Sequence, residues 1–235
     1  MSFGLNVRNT GAGYVIDGDY INPRMIRKGV MATYDSPIAN EHNFIAEIPI
    51  NAGEILAFAC VEPAIFAGVR DGKAIISAYA PGPNQSYAPV NVEYWIFNMS
   101  DTGSSNFGLR VWNATAQKVF DSAWKILKVM GAQGAGSSVG YASGRKYAVI
   151  PQEVRVTMRR EQAVDPNATL PTVVSRILRG DAARVVGPTV SVEPDKIVSQ
   201  LQFGMFPGGA SIAGWTVYYD NALTTRYIII DVTNY

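Results

Sequence analysis

A chain of 235 residues with net charge +1 suits one large or two small domains. Charged residues make up only 17% of it, and 22 Gly, 13 Pro, 12 Tyr and 9 Phe predict many short strands joined by turns rather than helices. The near-neutral balance excludes a duplex nucleic-acid surface, since Arg155, Arg159 and Arg160 are offset by Glu153 and Glu161; one cysteine, Cys60, excludes an internal disulfide.

The chain opens with a segment that it repeats. Phe3 to Asp17 (FGLNVRNTGAGYVID) returns at Phe107 to Asp121 (FGLRVWNATAQKVFD) without a gap. The two copies share Phe, Gly, Leu, Val and Asn on the outgoing run and Val and Asp on the return. Leu5 and Val7 alternate with polar neighbours, as Leu109 and Val111 do, so each copy predicts a β-hairpin with one apolar face. A duplicated strand pair is the expectation, with Leu109 and Val111 buried.

Further strands are predicted over 25–33, 44–50 and 54–61. The run Ile65 to Tyr79 contains Asp71-Gly72 between two β-prone stretches, which predicts a hairpin with a type I′ turn, both turn residues at positive φ. Val90 to Asn98 (VNVEYWIFN) has bulky residues at successive positions and predicts a central strand covered on both faces. Residues 131–145 (GAQGAGSSVGYASGR) hold five glycines and predict a flexible arm or linker. It would separate a β-rich domain of residues 1–130 from a second β-rich region, 146–235. Beyond it, strands are predicted over 147–159, 184–192, 215–220 and 226–235, and 173–178 also suits a strand. The piece Leu170 to Leu178 fits a short helix equally, because Pro171 suits a first turn. The fold class expected is all-β, an antiparallel sandwich or two.

Residues able to carry chemistry are few. One histidine, His42, and one thiol, Cys60, fall short of a metal site, and Cys60 lies in an apolar run that predicts an inert buried thiol. Ser-His-Asp hydrolysis would need His42 as its base. Gly134-Ala-Gly136 belongs to no phosphate-binding pattern, so no cofactor is expected. Two carboxylates brought together from distant positions would suffice for a glycosidase, but Asp17 and Asp121 have a structural role open to them in closing each hairpin. Aromatic side chains remain: Trp112, Trp215, Tyr218, Tyr219 and Tyr235 are the candidate interface residues. No eighteen-residue apolar run and no signal-peptide pattern occur, so a soluble protein made in a cytosol is expected, with no membrane insertion and with its Asn-x-Ser/Thr sites accidental.

The phrase Phe107-Gly-Leu-Arg-Val-Trp-Asn113, followed by Val119-Phe-Asp-Ser122, resembles small tail-tip and baseplate proteins of long-tailed bacteriophages. Those proteins carry a Gly-Leu-x-Val-x-Asn strand, a short turn and Phe-Asp-Ser. The opening Gly4-Leu5-Asn6-Val7-Arg8-Asn9, with Arg27-Lys28-Gly29 after it, is similar to their start, although Ile16-Asp17-Gly18 stands where Phe-Asp-Ser is found in the second copy. The likeness covers roughly residues 3–130. It implies a non-enzymatic structural component of the virion tail tip, baseplate or fibre base, forming a homo-oligomer, a trimer first, with other tail proteins. The alternative at the same location is a receptor-binding module recognising host cell-surface saccharide through aromatics; a polysaccharide-degrading enzyme ranks third.

Overall fold

The structure, a computed structural model, describes residues 4–9, 12–17, 22–35, 41–42, 44–81, 87–100, 108–164, 172–202, 211–220 and 224–235. For 4–9, 12–17, 41–42, 81, 87, 158–164, 172–178, 197–202 and 211–220 the description is of backbone alone. The strands in chain order begin with β1 (Gly4–Asn9), β2 (Ala12–Asp17), β3 (Arg24–Ala32), β4 (Tyr34–Asp35), β5 (Glu41–His42), β6 (Phe44–Pro49) and β7 (Ile55–Ala59). Next come β8 (Ala64–Arg70), β9 (Lys73–Ala78), β10 (Ala80–Pro81), β11 (Tyr87–Ala88), β12 (Asn91–Asn98), β13 (Arg110–Trp112) and β14 (Lys118–Asp121). Then follow β15 (Val129–Gly134), β16 (Ser138–Gly140), β17 (Tyr147–Glu153) and β18 (Val156–Val164). The long strands β19 (Thr172–Val186), β20 (Thr189–Gln202) and β21 (Ser211–Asp220) precede β22 (Arg226–Asp231).

Two large antiparallel sheets face each other across one apolar core. The first runs β15-β22-β17-β7-β12-β3. The second runs β16-β20-β19-β8-β9-β6-β4, with β18, β21 and β5 attached beyond that path. Phe58 on β7, Val149 on β17 and Ile229 on β22 occupy one row of the first sheet. Tyr227, two residues from Ile229, meets the Phe58 ring edge-on and donates its hydroxyl to the carbonyl of Asp181 on β19, 3.0 Å away. That bond fixes which face points inward. Ile48, Ile65, Ile76 and Val190 of the second sheet join the same buried cluster. The all-β expectation therefore holds, as a sandwich.

Local signals explain much of this. Asp71 and Gly72 both have positive φ and close the β8–β9 hairpin, as the Asp-Gly pair predicts. Strand β12 lies between β7 and β3, with both Trp95 and Ile96 buried although they are adjacent. Adjacent strand residues point to opposite faces, so both faces of the first sheet are covered there. The outer cover comes from Tyr235, whose ring packs on Phe97 and whose hydroxyl donates to the Ile126 carbonyl.

The division into residues 1–130 and 146–235 does not describe this sheet. Strands β22 and β17 come from the second stretch, yet they lie between β15 and β7. Residues 131–145, expected as an arm or linker, contain the rest of β15, a turn and β16, which form edges of the first and second sheets. Glycine and serine leave no alternating pattern to read, while their backbone amides pair as well as any others. Residues 172–178, ambiguous in sequence, are strand, paired with β18 on one side and β20 on the other. The ladder supplies backbone partners that a lone helical turn would lack.

Strands β19 and β20 form one hairpin that serves two settings. Near its turn, Ala183 pairs with Ala64 and the ribbon lies in the sandwich. Past Gly180 the neighbours change, and the sheet continues as a wing in the order β5-β20-β19-β18-β21. The changeover is tightly built. A Cβ on Gly180 would lie 2.6 Å from the Arg155 carbonyl oxygen and 2.9 Å from Ile65 Cδ1, so no side chain fits there. Asp181 is buried; its carboxylate accepts from the Thr225 hydroxyl at 2.6 Å and the Asp195 amide at 3.1 Å.

Both repeat copies are hairpins, β1–β2 and β13–β14. Their registers differ. Asp17 faces Gly4 in the first, whereas Asp121 faces Arg110 in the second, an offset of two positions that keeps the side-chain parity. The expected burial of Leu109 is overturned: it is 50% exposed, and Val111 only half-buried. The buried residues are Val119 and Asp121 on the return strand. The ribbon docks through β14, where Asn22 donates its backbone and side-chain amides to the Val119 carbonyl. Docking, not alternation on the outgoing strand, sets which face is covered. The side chains of Leu5 and Val7 lie outside the described residues.

Candidate interaction surface

In the β13–β14 hairpin, Asn113, Asp121 and Ser122 each have a local structural task. Asn113 begins the turn: its Oδ1 accepts from the Thr115 amide (3.1 Å), the Thr115 hydroxyl (2.8 Å) and the Gln117 amide (2.9 Å). An Asn side chain that mimics the turn's own carbonyl is what lets the chain reverse here. Ala116 takes φ of 60° within that turn, a left-handed conformation that an alanine adopts at a cost. Ser122 closes the other end, donating its amide to the Leu109 carbonyl and accepting from the Leu109 amide on Oγ.

Asp121 is the electrostatic centre of the hairpin. Its carboxylate is fully buried and accepts from the Ala123 amide at 3.0 Å. Arg110 Nε lies 3.4 Å and Lys118 Nζ 3.8 Å from its other oxygen. Lys118 also stands over the Trp124 ring, 5.2 Å from its centroid, with the Arg24 guanidinium 5.1 Å from the same centroid. Arg24 in turn donates to the Ser100 carbonyl. Charges from three elements thus lock the ribbon to β3 and to the segment after β12. Nothing in the spacing of these residues announced the Trp124 cluster, since its members are up to 100 positions apart.

Trp112, on the turn side of this cluster, is 54% exposed. With Leu109 it presents apolar surface on an element outside the two large sheets. Tyr235 has a different fate: it is 8% exposed, holds the outer face of the first sheet, and takes the Lys28 ammonium on its carbonyl oxygen. Trp215, Tyr218 and Tyr219 all lie in β21, with Trp215 opposite Glu161 and Tyr219 opposite Met158; their side chains are outside the described residues. Of the two candidates whose side chains are described, Trp112 is exposed on the hairpin and Tyr235 is buried against the first sheet. Other exposed apolar residues, which the sequence reading did not single out, are Val129 and Met130 on β15. Their signal was the charge-free run that follows them.

The remaining chemical candidates sit apart. Cys60 is buried, and burial pushes its thiol pKa up, away from the thiolate that a nucleophile needs. His42 pairs with Gln200 in the wing. Among the described residues no three His, Cys, Asp or Glu side chains group as metal ligands would, and no helix is long and apolar enough to cross a membrane. A depression of about 660 Å³ on the outer face of the first sheet has Ile55, Leu127, Ile150 and Ile228 in its wall, with Glu153 and Arg226 at its rim.

A forked charge–charge contact of the body is a clamp rather than a site. Arg27 on β3 donates twice to Glu54, at 2.9 and 2.7 Å, and once to the Pro49 carbonyl. The Arg27 hydrogen bonds, with help from Asn51, bring the Glu54 carboxyl down to about 2. A forked pair of this kind ties an edge strand to the turn before β7. Comparison of the chain with protein-family models, with curated proteins and with solved structures finds no match in any of the three.

Proposed function

We propose that this chain is a non-enzymatic structural component of a bacteriophage tail tip, baseplate or tail-fibre base, working by contact with neighbouring tail proteins. The observation that carries the reading is the β13–β14 hairpin. It is the segment whose sequence resembles the phage proteins, and it stands as its own two-stranded sheet. Asn113, Asp121 and Ser122 hold its shape, while Trp112 and Leu109 are left at the surface. An element rigidified from within and with apolar side chains left exposed suits protein–protein contact, where large aromatic residues carry a disproportionate share of binding energy.

Immunolabelling of purified virions with an antibody to this chain is the direct test. Label at the end of the tail distal to the capsid is the expected outcome; particles that carry none of the protein overturn the reading. The exposed Trp112 also favours the second reading, a saccharide-binding module at the same location, because an open indole face is what sugar rings stack upon. Glycan binding that disappears in Trp112→Ala, with incorporation into virions unchanged, would select that alternative.

A further inference from the structure

We infer that strand β15 is a homotypic docking edge, pairing antiparallel with β15 of a second copy so that the two first sheets become one sheet of twelve strands, six from each chain. The inference starts from how the ends of the first sheet differ. Its edges are β3 and β15. Strand β3 carries Arg24, Arg27 and Lys28 within nine residues. Strand β15 carries none, and the sixteen residues from Val129 to Gly144 contain no charged side chain at all.

Soluble proteins blunt a free edge with lysine, proline, inward-pointing charge or a covering segment, because its unpaired amides and carbonyls invite another strand. Strand β15 has no charge and no proline, and Val129 and Met130 are 58% and 41% exposed. It pairs with β22 on one side, and among the described residues no strand pairs with the other. The flank continues around the sandwich into β16, a short edge of the second sheet, where Val139 is also exposed.

Charge selects the occupant. Across a two-fold axis residue i of one strand meets residue j of the other and j meets i, so an edge whose charges are all of one sign, such as β3, brings like charges together. A charge-free edge carries no such penalty, and it offers nothing to attract an acidic or basic partner. A second copy of the chain is the partner this edge fits, giving a dimer where the sequence led to a trimer. The sixteen-residue flank is smaller than the roughly 20–30 residues that each side of a standard interface uses. Association is therefore weak, with a dissociation constant on the order of micromolar. It is also insensitive to ionic strength, since no ion pair is broken by screening.

The inference concerns the contact and holds whether or not the particle is a phage tail; loss of one reading leaves the other standing. Sedimentation velocity on the full chain across a dilution series gives the test, with Ala132→Lys and Ala132→Glu at the middle of β15. Wild type is expected to dimerise with less than a twofold change in dissociation constant between about 50 and about 500 mM salt. Each variant alone is expected to be monomeric, with association at least tenfold weaker. Mixing the two restores the dimer, which a folding defect cannot do. Val30→Lys on β3 leaves it unchanged. A wild-type monomer at all concentrations, a dimer that survives both Ala132 variants, or a mixture that stays monomeric overturns the inference.

Discussion

The sandwich and the β13–β14 hairpin are both antiparallel β-structure, yet they are held by different forces. In the sandwich, large side chains such as Phe58, Tyr227 and Ile229 are fully buried between two sheets, and hydrogen bonds at Asp181 and Thr225 only fix the joints. The hairpin forms a two-stranded sheet of its own. Its shape rests on Asn113 in the turn, on Asp121 between Arg110 and Lys118, and on the cations around Trp124. The lesson is that two antiparallel elements of one chain can be held by different means, one by apolar contact and the other by polar geometry.

Mutations separate the two regimes. Phe58→Ala removes a ring from the centre of the core and should lower global stability by about 3–5 kcal/mol, seen as a shifted denaturant midpoint. Asp121→Ala leaves Arg110 and Lys118 facing each other without their shared carboxylate. Its expected effect is about 2–3 kcal/mol, less than for a wholly buried pair because Arg110 is partly solvated. That loss should be confined to the hairpin: hydrogen exchange of amides 110–121 should quicken while β17 and β22 stay protected. Uniform loss across both would erase the distinction drawn here.

Acid tests the Arg27–Glu54 clamp of the sandwich. Glu54 titrates at about 2 when folded, below its ordinary carboxylate value, so its contribution is present above about pH 4.5 and is lost as pH falls toward 2. Arg27→Met should cost about 1–2 kcal/mol at neutral pH, allowing for solvent on the arginine, and close to nothing at pH 2. Parallel stability-versus-pH curves for the two proteins would show the clamp to be idle. The smallest change is expected at Leu109→Ala, within about 0.5 kcal/mol of wild type, because the residue is exposed. A loss above 2 kcal/mol would put it back in a core.

Much of this was legible in the sequence where a local rule applies. Asp71-Gly72 dictates its own turn, and adjacent bulky residues in Val90 to Asn98 announce a strand with two covered faces. What escaped depends on partners remote in sequence. Leu109 alternates as a buried residue would, but Asn22 draws the ribbon down by its other strand. Residues 131–145 look mobile because glycine and serine have no pattern, although β22 and β20 supply ladders for them. Tyr235 reads as a surface aromatic until Phe97 and Ile126 meet it. Of the predicted interface, only Trp112 is found exposed among residues whose side chains are described.

The strand order of the first sheet has a consequence in time. Strand β22 lies between β15 and β17, so the sheet stays split until residues 226–231 have emerged from the ribosome. Through most of synthesis β15 and β17 each have a side without its eventual neighbour, and the apolar face of β17 lacks Ile229 beside it. Pairings this distant in sequence are reached slowly, and half-built sheets with open edges associate with one another. Yield of soluble protein should therefore depend on how slowly the chain is made and how cool the cell is, more than on the strength of the finished core.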